Sequence, residues 1–222
     1  LEEHHAVVIN VGGRYFEHFL HLFDGNNPNA IPKKISCITD VDPERKLLPA
    51  GKFGKCYPFE VGTEPAKFEY KDHATDKVTQ YASHPDIRYF SQNAVTGKTL
   101  EYELIWCNAG SEICLTESMS NVAELKVLIP WIQDGTKTLA DFDAKMRSTE
   151  ENKAIMEGIN LSTWANEEKK KGIVAARYLN SVSKGEHALE LSQKLIENLE
   201  AITRIALSVP TYIKEAGNWV CQ

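Results

Sequence analysis

No run of residues in this chain approaches the roughly 18 consecutive apolar positions of a membrane-crossing helix, so no span is expected. The first residues, Leu1-Glu-Glu-His-His5, have neither an initiator Met nor the charged-then-apolar pattern of a secretory leader, and a piece of a longer protein is expected. The five cysteines (37, 56, 107, 114 and 221) are odd in number, scattered, and include no C-x-x-C pair. Reduced thiols in a cytoplasmic setting follow as the expectation. A basic surplus is missing too: the net charge of −6 argues against a broad nucleic-acid-binding face, while leaving room for a local basic groove. Gly12-Gly13 is followed by no Gly-Lys-Ser/Thr, which excludes a P-loop, and the third glycine of a dinucleotide fingerprint is absent.

What is present suffices for a real core. With 222 residues, 42% of them hydrophobic, the chain fits one large domain or one domain with an appended helical part. The stretch Lys34-Ile-Ser-Cys-Ile-Thr-Asp-Val-Asp-Pro43 stands at its centre. It starts as a short apolar run of the kind that forms a buried parallel strand, then stops at two acids. In open α/β sheets the working site lies outside the carboxyl ends of the strands, where Asp40 and Asp42 fall. Pro43 prevents the strand from continuing as a central one. Two carboxylates there call for a neutralising partner, and a hard cation such as Mg²⁺ is the natural one. The plainer alternative is a pair of ordinary loop acids.

Ala6-Val-Val-Ile-Asn10 reads as a further buried strand. Phe16, Phe19, Leu20 and Phe23, at i, i+3, i+4 and i+7, predict a helix after it, ended by the turn residues Asp24-Gly-Asn-Asn-Pro28. Strand, helix and strand in that order predict a parallel sheet with a right-handed crossover. His18 and His21, one turn apart, have no third ligand nearby and belong to the solvated face. From Glu44 to Pro85 glycines and prolines break the pattern, and a small helix or hairpin is expected inside this insertion. The spacing of Cys56, His73 and His84 fits no closed zinc site.

Asp86–Phe90 predicts a third strand, and Thr99–Trp106 a helix with Thr99 as N-cap. Glu101 falls in its first turn, where the helix dipole favours an ionised carboxylate; Glu103, two residues on, cannot point the same way, so Glu101 is taken to face a site. Val122, Leu125, Leu128/Ile129 and Ile132 form a helical stripe interrupted near Pro130. The basic run Glu167-Glu-Lys-Lys-Lys-Gly172, ordinarily a solvated helix start, is also where a phosphate would be met. Leu191, Leu195, Leu199, Ile202 and Ala206 predict a long amphipathic helix stopped by Pro210, long enough to dock on another chain as in a homodimer.

Three stretches together resemble the Toprim nuclease region of OLD-family (overcoming-lysogenisation-defect) proteins, a group that includes nucleases of anti-phage systems. They are Val8-Ile-Asn-Val-Gly-Gly-Arg-Tyr-Phe16; Cys37-Ile-Thr-Asp-Val-Asp-Pro43, similar to the family's T-D-x-D element; and Thr99-Leu-Glu-Tyr-Glu-Leu104, followed much later by Lys171-Gly172. The resemblance implies an α/β fold: a Toprim-like parallel sheet flanked by helices in residues 1–110, with an irregular insertion at about 44–85. A mostly helical part, 111–222, returns a lysine to the site. It implies a metal-dependent DNA endonuclease using two Mg²⁺ or Mn²⁺ ions. Asp40 and Asp42 would be metal ligands, Glu101 would serve the second metal position with Thr99 near it, and Lys171 would meet the scissile phosphate, Lys170 being the less apt lysine of the run. DNA is the implied partner, together with an N-terminal ATPase domain of the same protein; ATP would enter only there, since no Walker A pattern occurs here. The family's opening E-G-x-x-E segment, whose glutamates complete the metal site, has no counterpart, and Glu2 and Glu3 are poor substitutes for it.

Two other readings compete. Thr39-Asp-Val-Asp42 resembles the acid pair of haloacid-dehalogenase phosphatases, but Pro43-Glu44 stands where those proteins have Gly-Thr. A non-catalytic domain that dimerises through its last long helix is the other.

Overall fold

The computed structural model describes residues 2–201 and 204–222. In chain order the elements are the single turn α1 (Glu17–Leu20), β1 (Ile35–Ile38), β2 (Glu44–Leu47), β3 (Phe53–Lys55), β4 (Phe68–Lys71), α2 (Thr75–Gln80) and β5 (Ile87–Phe90). A helical part follows: α3 (Leu100–Cys107), α4 (Val122–Trp131), α5 (Leu139–Lys145), α6 (Glu150–Leu161), α7 (Asn166–Leu179), α8 (Lys184–Glu200) and α9 (Thr211–Val220). The fold is α/β, with a small parallel sheet, a small antiparallel sheet and helices.

β1 and β5 pair in parallel, Ile35 opposite Ile87 through Ile38 opposite Phe90. Both strands were expected from the sequence, β1 as a short apolar run and β5 as the stretch Asp86–Phe90. The expected strand at Ala6–Asn10 does not form; that segment takes no part in a sheet, and Val7, Val8 and Ile9 are 80, 84 and 74% exposed. β-Branched residues favour a strand only when a pleated neighbour gives them something to pack against, and this run has none among the described residues. The helix expected over Phe16–Phe23 shrinks to one turn for a related reason. Only Phe16 and Leu20 reach the small cluster of Cys37, Ile87 and Tyr89, while Phe19 and Leu22 stay exposed. An isolated turn without an apolar face to bury has little to propagate it.

The insertion is more ordered than a hairpin. β2 pairs antiparallel with both β3 and β4, and α2 then leads back into β5. A 3₁₀ turn at Pro58–Glu60 sends Phe59 into the main core, between α6 and α7. Gly158 and Gly172 make room for it: a Cβ on Gly158 would stand 2.9 Å from the Phe59 ring.

α7 is the centre of the helical part. Ile173 through Ala176 and Tyr178 are all buried, packed against Tyr102 and Ile105 of α3, Leu125, Leu128 and Ile129 of α4, and Ile155 and Ile159 of α6. The buried Arg177 guanidinium is held by Glu124 and Glu151. Pro130 lies one residue before α4 ends, so the hydrogen bond it forfeits to the carbonyl four residues back falls in the last turn, and the helix stops directly after it. The last helix does not run to Pro210. α8 stops at Glu200, and the Asn198 side chain bonds the Ile205 backbone in both directions (2.8 and 3.0 Å), a local alternative to further helix. Pro210 instead opens α9. Of the expected stripe, Leu191 is buried, Leu199 is exposed, and Ile202 lies outside the described residues.

Candidate functional site

The acids sit where the parallel strands end. Beyond β1 the pairing with β5 persists for one more bond, Thr39 N–H to the Phe90 carbonyl (3.1 Å), and then the chain turns. Each step of the turn is pinned. Gln92, just past β5, uses all of its side-chain amide: its carbonyl accepts from the Val41 N–H (2.9 Å) and the Ser91 hydroxyl (3.3 Å), while its NH₂ donates to Asp40 Oδ1 (2.7 Å) and the Tyr212 hydroxyl (3.0 Å). Asp40 is thereby oriented by a buried residue with no remaining freedom.

Asp42 is held differently. Its backbone adopts a left-handed conformation (φ +35°), one that Asp tolerates better than most residues, and its N–H bonds the Lys98 carbonyl at 2.9 Å. The Lys98 ammonium donates to Asp42 Oδ1 at 2.9 Å and to the Cys56 carbonyl at 2.9 Å, while the exposed Lys55 approaches Asp42 Oδ2 at 3.4 Å. Lys98 and Asp42 are both buried. Burial pushes the Asp42 carboxyl up, yet the hydrogen bonds and charges of Lys98 and Lys55 outweigh it, and the group lies below the ordinary carboxylate value. Lys98 reaches this position through a tight turn in which Gly97 N–H bonds the Asn93 carbonyl (2.7 Å). A Cβ on Gly97 would fall 2.2 Å from that of Gln92, so only glycine fits.

α3 starts directly after Lys98. Thr99 is its N-cap, as the sequence implied, with Oγ1 accepting from the Tyr102 N–H at 3.5 Å. Glu101 is half-buried and Glu103 buried. Burial raises the Glu103 carboxyl, which accepts from the Cys107 thiol at 3.5 Å. The Tyr212 hydroxyl, pushed up by burial and then by the charge of Asp40, also feels Glu103 and Glu101. The charge of Glu101 also acts on Tyr178 and His187, so this carboxylate bears on α7 and α8 as well as on Tyr212.

Lys171 stands elsewhere. Its ammonium lies over the Trp106 ring, 5.7 Å from the centroid, beside the last turn of α3. Eight residues of helix rise about 12 Å, so Lys171 and the Asp42–Lys98 pair flank opposite ends of α3. Lys170 is buried and bonded to Glu167 at 2.8 Å. The cations next to the acids are Lys98 and Lys55. Lys98 could have been noticed as the residue before an N-cap, but Gln92 and Tyr212 carry no sequence signal of their own.

Among the described residues no group of three or more His, Cys, Asp or Glu side chains could hold a metal ion. Mg²⁺ does not demand such a cage, because it keeps several waters and is commonly bound by one or two carboxylates plus substrate phosphates. The oxygens of Asp40 and Asp42 are of the hard type such an ion takes, but Asp40 Oδ1 already accepts from Gln92 and both Asp42 oxygens face lysines, so an ion here would have to share or displace those partners. Compared with known proteins, the chain matches no family model, no curated protein and no solved structure.

Proposed function

We propose that this chain is the catalytic part of a divalent-metal-dependent DNA endonuclease. The observation that carries the reading is the placement of Asp40 and Asp42 at the carboxyl end of the parallel β1–β5 pair, each side chain oriented by a buried partner. That is where ligands of open α/β sheets bind. Glu101, in the first turn of the helix that follows Lys98, is the third carboxylate of the proposal, for a second ion, as the sequence resemblance implies. Thr99 supports it by starting the helix that carries it. Mg²⁺ or Mn²⁺ bound to these acids would activate the attacking oxygen and stabilise the leaving one in an in-line displacement at phosphorus.

The protein's own groups have distinct tasks. Gln92 fixes the Asp40 carboxylate, and Lys98 keeps Asp42 ionised and aimed. Lys55, with 71% of its side chain exposed, can leave Asp42 Oδ2 and meet a non-bridging phosphate oxygen, where a cation stabilises developing charge. The proposal includes the working context that the sequence resemblance implies, an ATPase domain acting beside this part in phage defence.

Supercoiled plasmid incubated with Mg²⁺, Mn²⁺ or EDTA tests the reading. Nicking that needs the metal and drops by at least a hundredfold in Asp40→Ala and Asp42→Ala is expected; cutting untouched by both substitutions would refute it. A second reading, an interaction module, is favoured by one observation: Leu189, Ile196 and Leu199 of α8 are 70, 56 and 59% exposed. Metal-independent self-association lost on Ile196→Asp, without nicking, would select it.

A further inference from the structure

Beside the last turn of α3 lies a groove of about 610 Å³ lined by Trp106, Cys107, Gln133, Glu167 and Lys171, among others. Its make-up is unlike that of a simple packing defect. Trp106 is only half-buried, although Tyr102 stacks on it (centroids 6.2 Å apart) and Trp164 meets it edge-on (5.5 Å), so a base could enter only on the side of the ring that Lys171 covers. Lys171 lies over the indole and makes no ion pair among the described residues. The one acid in the wall, Glu167, has a carboxylate oxygen held by Lys170. The Cys107 thiol in this wall is raised to about 12, chiefly by burial, although the charges of Lys171 and, from α9, Lys214 act against it. The Gln133 side chain is spent on the Ala109 carbonyl at 2.7 Å, which fixes that wall.

An indole with an ammonium group beside it is a pairing that recognises single-stranded nucleic acid: the aromatic face takes a base and the cation a backbone phosphate. With a net charge of −6 over the whole chain, any such recognition must be local, as it is here. We infer that this groove binds the single-stranded flank of a DNA substrate, one base stacking on Trp106 and an adjacent phosphate meeting Lys171. The inference rests on the nuclease reading for its substrate class, but it gives Lys171 a role in strand capture rather than at the scissile bond. The separation is informative. About 12 Å of α3 lies between the acids and the groove, roughly the span of three to four stacked nucleotides at 3.4 Å each. Substrates with a single-stranded stretch at that distance from the cut should be preferred over blunt duplex.

Fluorescence anisotropy in EDTA, using a labelled single-stranded oligodeoxynucleotide and a blunt duplex of equal length, separates binding from cleavage. Trp106→Leu should weaken single-strand binding about tenfold and leave its salt dependence unchanged, since only stacking is lost. Lys171→Gln should also weaken it and reduce the slope of log K against log salt by about 0.7, the value for one phosphate contact on a single strand. Lys126→Gln, an exposed change on α4, should do neither. Urea melts check that each variant is folded. Failure of the wild type to bind the single strand, equal binding of the blunt duplex, or equal losses in Lys126→Gln would each overturn the groove. Binding that follows the expected pattern in a protein that never nicks plasmid would keep the groove and remove the nuclease reading. Metal-dependent nicking with binding indifferent to Trp106→Leu would do the reverse.

Discussion

Taking the ammonium away from Asp42 should be among the most damaging single changes outside the apolar core. Lys98 is 5% exposed and Asp42 8%, so Lys98→Met leaves a carboxylate out of water with its nearest cation gone. Breaking a buried pair from one side costs about 3–5 kcal/mol, because the remaining charge keeps its desolvation penalty. Lys55 cannot replace the lost partner: it stands farther off, at 3.4 Å, with a mostly exposed side chain, and such contacts contribute about 0–1 kcal/mol. The Cys56 carbonyl loses its donor as well. A loss of about 3–4 kcal/mol is therefore expected in urea unfolding, read as a lower midpoint at constant slope, against less than about 1 kcal/mol for Lys55→Met. Adding Asp42→Asn to Lys98→Met should recover part of the loss, since the amide has no charge to strand. The pH dependence supplies a second check. In the wild type the folded carboxyl lies below its unfolded value of about 3.9, so its contribution is complete above that value and is lost as pH falls through the lower folded one. Without Lys98, burial dominates and the folded carboxyl rises above its unfolded value, so the cost of Lys98→Met should shrink as pH falls and Asp42 takes up a proton. Equal costs for Lys98→Met and Lys55→Met, or no recovery in the double variant, would refute the reasoning.

Two further outcomes test the helical part. His187 is buried between the Thr116 hydroxyl (2.8 Å) and the Tyr178 hydroxyl (2.7 Å), the latter donating to the Cys114 carbonyl at 3.0 Å; burial lowers the imidazole below its ordinary value despite Glu101 and Glu190. The folded state thus favours neutral imidazole, and stability should decline as pH falls below about 6.5, where the unfolded chain takes up the proton first; His187→Gln should remove that slope from the urea midpoints. Leu128→Ala, at a fully buried position, should cost about 2–5 kcal/mol in the same assay, whereas Leu189→Ala, 70% exposed, should stay within about 0.5 kcal/mol. Similar values for the two leucines would contradict the assigned core.

Local pattern alone determined a good part of this protein. The stretches Ile35–Ile38 and Ile87–Phe90 became the parallel strands, because Ile35 and Cys37, and Ile87 and Tyr89, alternate along the chain and so fall on one face, where they pack into a single cluster. Thr99 became an N-cap, because its hydroxyl competes for the first free N–H groups of whatever helix follows. The position of Asp40 and Asp42 beyond β1 follows from the same run. Tertiary structure decided what these acids meet. Gln92 comes from the neighbouring strand, Lys98 from a turn that only Gly97 permits, and Tyr212 from a helix 120 residues away from Gln92; proximity of this kind is a property of chain closure and leaves no periodicity to read. Context likewise overruled propensity at Val7–Ile9, which had the residues of a strand but no partner, and at Lys171, whose place at the far end of α3 was set by the packing of α7 against it. Short-range chemistry specified the elements, and the packing of the turn after β5 and of α9 against the end of β1 specified which side chains would meet the acids.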